Sequence, residues 1–166
     1  QQQAGRLLQR LFEIEVYRVM ALLAFPVAQV LSPKASDAEQ RLSAITTAMA
    51  QANSDDGLLL DQLTLLAAEV ESHISNSQFR FGAASAYYKI VNQRISDIRE
   101  VKIQGIQTID EFLTKRLQPA LNTCTSTAKR FSLLSERISN AGQLLRTRVD
   151  ISIERQNQAL LTSMDL

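Results

Sequence analysis

The sequence predicts an all-α fold, an elongated antiparallel helical bundle built on a long helical hairpin with coiled-coil-like packing. Three observations predict it. Five glycines, three prolines and no Trp stand among abundant Leu, Ala, Gln, Arg and Glu, which favours helices joined by short turns over any sheet. From Pro119 to Met164, the apolar residues Phe131, Leu134, Ile138, Ala141, Leu145, Val149, Ile153, Leu160 and Met164 recur mostly at steps of three and four, one stripe along a helix. The third is the most regular: Leu59, Leu63, Leu66, Val70, Ile74, Ser77, Phe81, Ala84, Tyr88, Val91, Ile95 and Ile98 alternate such steps, heptad spacing that implies a seam against another long helix. At 1.5 Å per residue the Pro119–Met164 helix alone reaches roughly 70 Å, so the expected shape is a rod.

In order, the chain reads as one domain, 1–166, with helices at about 4–31, 36–52, 57–104, 109–118 and 119–164. Leu7, Leu11, Ile14, Ala21 and Phe25 give the first helix a face, Pro26 kinks it and Ser32-Pro33 ends it. Ser36 caps the second, with Glu39 completing a capping box and Ala38, Leu42, Ile45 and Met49 on the apolar side. Asn53 to Gly57 is a turn. The heptad stripe follows, and the small residues Gly82 to Ala86 suit close approach of a neighbouring backbone. Gly105 is the expected C-cap, and Thr108 with Glu111 opens the next helix with a second capping box. Pro119 bends that helix without stopping it, because helix-favouring residues resume at once. The chain opens on Gln1-Gln2-Gln3 and ends at Leu166 without a stop signal, so it reads as a piece of something longer.

Composition narrows the chemistry. Eighteen Lys and Arg against seventeen Asp and Glu give no global field to draw in nucleic acid or an anionic membrane. Cys124 is the single cysteine, which rules out an intramolecular disulfide and a thiolate metal cluster. The longest uninterrupted apolar run, Val19 to Ala28, is too short to span a bilayer and contains Pro26. His73 is the single histidine and Val70 stands three residues before it, so a di-metal bundle site with paired Glu-x-x-His motifs fails. Cys124 has neither base nor oxyanion hole in view and reads as a packed thiol. No glycine-rich phosphate loop is present, and Asp55 with Asp56 lacks the alternating oxygen ligands of a calcium loop. No catalytic residue, metal ligand, cofactor or small-molecule substrate is assigned.

Interaction candidates remain. Arg80 between Phe79 and Phe81, with Tyr87-Tyr88 beyond, has the composition of a base-stacking strip, but Phe81 and Tyr88 belong to the core stripe, so nucleic acid is not expected. Toward the C-terminus, Arg137, Arg146, Arg148 and Arg155, preceded by Arg130, outnumber Glu136, Asp150 and Glu154 and form a positive flank. Such a flank gains meaning where a membrane lies just past Leu166, since Arg excess marks the cytoplasmic side.

A set of strings carries a resemblance. Gly5-Arg6-Leu7, Glu13-Ile14-Glu15 and Tyr17-Arg18 come first, then Phe79-Arg80-Phe81 and Tyr87-Tyr88. Gly105-Ile106-Gln107-Thr108, Glu111-Phe112-Leu113, Pro119-Ala120 and Thr123-Cys124 follow, and last Leu144 to Asp150, Gln156-Asn157 and Leu160-Leu161. In this order they resemble the soluble helical region of a family of uncharacterised membrane-anchored bacterial proteins, a domain of unknown function. The resemblance implies a further domain before Gln1, transmembrane helices after Leu166 and a place on the cytoplasmic face of the bacterial inner membrane; it supplies no catalytic residue. The layout alone is also similar to the cytoplasmic stalks of CorA-type magnesium transporters. The expected function is a non-enzymatic scaffold or protein-interaction module that self-associates or docks another protein; the alternative is the regulatory stalk of an oligomeric channel or transporter. A third reading places an enzyme's chemistry in the missing N-terminal domain.

Overall fold

The computed structural model describes residues 2–164. Gln1 and Leu166, where the open ends were read, lie outside the described residues. Among the described residues four helices appear, α1 (Gln2–Leu22), α2 (Phe25–Met49), α3 (Asp56–Ile98) and α4 (Ile109–Met164), and no strand. The fold is all-α, as predicted.

The helix boundaries depart from expectation at both early prolines. The break comes at Leu23–Ala24, where Leu23 N–H bonds Met20 O at 3.3 Å and Ala28 N–H bonds Ala24 O at 3.1 Å. Pro26 therefore sits in the first turn of α2, where its missing N–H costs nothing. Pro33, expected to end a helix, lies inside α2. The reason is burial: Ala35, Ala38, Leu42, Ile45 and Met49 continue a buried face begun at Ala28 and Leu31. Burying large side chains at ~1.5–3 kcal/mol each outweighs the ~3 kcal/mol of one interior proline.

Ser36 and Glu39 consequently cap nothing. Both face Arg130, whose Nη2 donates to Ser36 Oγ at 2.8 Å and to Glu39 Oε2 at 2.7 Å, while Nε donates to Glu39 Oε1 at 2.8 Å. Three-residue spacing puts two side chains on one helix face whether they cap or not.

The α2–α3 turn forms where Asn53 to Gly57 predicts it. Asp55 is the N-cap, its Oδ1 accepting Leu58 N–H at 3.0 Å. At its other end α3 stops at Ile98, before Gly105. Arg99 takes the left-handed conformation that terminates it (φ 52°), and Gly105 (φ 83°) turns the connection beyond. The predicted capping box of α4 is present: Glu111 N–H bonds Thr108 Oγ1 at 3.1 Å, and Thr108 N–H bonds Glu111 Oε2 at 3.4 Å. Glu100 adds its carboxylate to Ile109 N–H at 2.7 Å, an anion on a helix N-terminus. α4 runs unbroken through Pro119, so the separate 109–118 and 119–164 helices are one.

The helices divide into two compact units. One holds the chain up to Pro33 and Ser75–Lys129. In it α1 runs antiparallel to α3, as Arg10 Nη1 bonds Asp97 O at 3.2 Å and the Tyr17 and Tyr87 rings stack at 5.9 Å. Ile14, Ala21, Ala24, Ala28, Val91 and Leu117 are central to its core. Tyr88 donates to Gln118 Oε1 across α3 and α4.

The second unit holds Lys34–Ile74 and the chain from Arg130 onward. His73 meets Phe131 at 5.5 Å between ring centroids, and Arg41 Nη1 bonds Glu69 Oε2 at 2.6 Å. A Cβ on Gly142 would reach Leu63 Cδ2 at 3.6 Å, an ordinary contact. In this unit α3 is thus antiparallel to both α2 and α4.

Every residue of the predicted α3 stripe is buried or half-buried. The Pro119–Met164 stripe fares differently: it is covered through Leu145 and half-covered at Val149, but Ile153, Leu160 and Met164 are exposed. Arg148 already lies beside Met49, Ser54 and Asp56 at the α2–α3 turn, so beyond it α4 outruns its partners within this unit. Two smaller expectations also fail. Leu7 is exposed, and of Gly82 to Ala86 only Ala84 is buried, with open space around Gly82.

Candidate interaction surface

The most unusual surface belongs to α1. Successive helical residues turn by about 100°, so side chains three or four apart share a face. One face of α1, with Ile14 and Ala21, is buried. On the nearly opposite side, Leu8, Phe12, Val16 and Val19, with Leu23 just past the helix end, form a second apolar stripe that faces solvent, Phe12 being 69% exposed and Leu23 63%. Val30 of α2 is exposed as well. No charged residue interrupts the stripe. Glu15 borders it, paired to Arg18 three residues on, and the Arg18 hydrogen bond holds the Glu15 carboxyl below its ordinary range.

A soluble helix with one buried face ordinarily presents polar residues on the other. Contiguous exposed apolar surface marks a place where something docks. The spacing of Leu8, Phe12, Val16, Val19 and Leu23 is legible in the sequence, yet there the Leu7–Ile14–Ala21 face outranks it. By length and composition the Gln3–Met49 stretch also passes as a membrane span, with 28% of its most apolar window buried. The uninterrupted Val19–Ala28 run does not reveal that, because polar residues break the longer stretch.

The predicted arginines are scattered in role. Arg80 is exposed on α3 in the unit containing α1. In the other unit Arg148 is committed to the fold: Nη1 bonds Met49 O at 2.7 Å, Nη2 bonds Ser54 Oγ at 3.0 Å, and Asp56 Oδ1 lies 3.0 Å away. It thereby satisfies an orphan carbonyl at the α2 C-terminus. Arg137 is exposed and adds to the positive field that lowers the Glu39 pKa, after the Arg130 hydrogen bond that dominates it. Arg146 lines an open cleft of about 390 Å³ with Leu63, Ala67, Glu71, Ile138 and Gly142, and Arg155 is exposed on the outrunning part of α4.

Chemistry-bearing groups elsewhere are dispersed. Cys124 is buried in the core and burial raises its thiol pKa, which suppresses the thiolate. His73 Nε2 lies 3.9 Å from Glu69 Oε1. Among the described residues no group of three His, Cys, Asp or Glu side chains is placed to hold a metal ion.

No curated protein and no solved structure matches the chain. One family does, over residues 1–166, under the description "Protein of unknown function (DUF3422)". The helical domain with its outward apolar stripe therefore belongs to the DUF3422 family of proteins of unknown function.

Proposed function

We propose that this chain is a non-enzymatic helical interaction module of a membrane-anchored bacterial protein, working at the cytoplasmic face of the inner membrane. One observation carries the interaction reading: α1 has apolar stripes on opposite faces, and one of them, Leu8 to Leu23, is left uncovered by the described residues. Exposed Leu, Phe and Val at helical spacing gain stability only when covered, at about 25 cal/mol per Å² of apolar surface. The membrane anchor and location follow the resemblance of the ordered strings.

The test is site-specific photo-cross-linking in living cells, with the reactive group at Phe12 and a control at Thr125, an exposed position on α4. The reading expects a protein adduct at Phe12, to itself or to another chain, and none at Thr125. No protein adduct at Phe12 overturns it.

A further inference from the structure

We propose that the occupant of the α1 stripe is a second copy of this chain, which lays the same stripe antiparallel against the first across a two-fold axis near Val16. The inference rests on the interaction reading above and names its partner.

Spacing is the first ground. Along the stripe the steps are four, four, three and four residues. Reversed, the steps read four, three, four and four, so Leu8 falls opposite Leu23, Phe12 opposite Val19, and Val16 within one residue of its own counterpart, the axis passing between Glu15 and Val16. A two-fold contact requires that self-complementarity, because each residue's partner must in turn receive it. The pairing also alternates bulk, a Phe against a Val, as interdigitating helices prefer.

Area is the second ground. Leu8, Phe12, Val16, Val19 and Leu23 are 56%, 69%, 55%, 47% and 63% exposed, on the order of 500 Å² per chain and so the larger part of the ~800 Å² each partner gives to a standard stable interface. Flanking side chains supply the remainder.

Charge is the third. The stripe carries none, and Glu15 at its border is neutralised by Arg18 of its own helix, so two copies meet without unpaired like charges. A helix lying on an anionic lipid surface is instead rich in Lys and Arg on its polar face. Here Arg10 is turned onto the Asp97 carbonyl and Arg18 onto Glu15.

The experiment is sedimentation velocity of the chain over a roughly hundredfold concentration range, with three variants. Wild type is expected to pass from monomer to dimer. Val16→Asp, which sets two carboxylates together at the axis, is expected to stay monomeric with unchanged helical circular dichroism. Leu65→Asp, at an exposed apolar position on α3, is expected to dimerise normally. Val16→Cys is expected to join to its own kind through a short bismaleimide, the buried Cys124 remaining unreactive.

A monomer at every concentration with no Val16→Cys adduct overturns the proposal. Co-sedimentation of that monomer with phosphatidylcholine vesicles, lost in Val16→Asp, would make the stripe a lipid surface. A dimer unaffected by Val16→Asp, or a closed ring larger than a dimer, overturns it too; the ring would favour a transporter stalk. A Phe12 adduct exclusively to a different protein removes the second copy and leaves the interaction reading standing, whereas no protein adduct removes both.

Discussion

Two arginines show how residue-scale roles separate from sequence appearance. Arg146 and Arg148 look alike in the chain, yet Arg148 holds Met49 O, Ser54 and Asp56 while Arg146 is exposed at a cleft rim. Arg148→Ala is expected to cost about 1–3 kcal/mol in urea unfolding, because a helix-end carbonyl and an aspartate lose a charged donor. Arg146→Ala is expected to stay within about 0.5 kcal/mol; equal effects would contradict the assignment. The Glu39–Arg130 pair sets a pH expectation. Its Arg130 hydrogen bond lowers the folded Glu39 pKa below the ordinary 4.5, so the contribution is present above the unfolded pKa and fades as pH falls through the folded one. Wild type and Glu39→Gln should therefore differ at pH 6, by less than about 1 kcal/mol for a pair this exposed to screening, and the difference should shrink as the pH falls below the ordinary carboxylate range. Neither pairing is legible in the sequence, because each joins residues some ninety positions apart. Spacing shows Ser36 and Glu39 on one face, but not the arginine that another helix brings there.

At the scale of elements, legibility follows locality. Thr108 and Glu111 cap α4 as read, since both partners lie within four residues. Thr108→Ala is expected to lower stability by about 1 kcal/mol, measured by thermal unfolding. Pro33 misleads for the opposite reason: the burial that carries α2 through it comes from packing the sequence does not display. The inner face of α1 is harder still. Its fully buried residues include Ala21 and, continuing into α2, Ala24 and Ala28, while the bulkier Phe12 and Leu23 point outward. Ile14 and Ala21 mark that face in the sequence although the bulkier residues lie outside it; small side chains are inside because the neighbouring helices pack closely there. Ala21→Leu is accordingly expected to cost about 1–3 kcal/mol by overpacking. Phe12→Asp, measured at concentrations where the chain is monomeric, should change stability by no more than about 0.5 kcal/mol.

For the whole molecule, composition and period announce the helical class, and α3 matches that period from Leu59 to Ile98. The candidate surface is present in the same sequence but outranked by a competing stripe on the same helix. A near-neutral chain, with a formal net charge of +1 and a pI near 8.1, has little self-repulsion to keep its copies apart. If the α1 stripes pair, folding and association are linked, and the thermal midpoint depends on protein concentration. Above the dissociation constant a tenfold rise adds about 1.4 kcal/mol per dimer. Set against the unfolding entropy of two such chains, this raises the midpoint by roughly 2 °C. Differential scanning calorimetry across two decades of concentration should show that slope for wild type and a flat line for Val16→Asp. A flat line for both would mean that the stripe remains uncovered in the isolated chain, and the stability of α1 would then rest wholly on its inward face of Ile14 and small alanines.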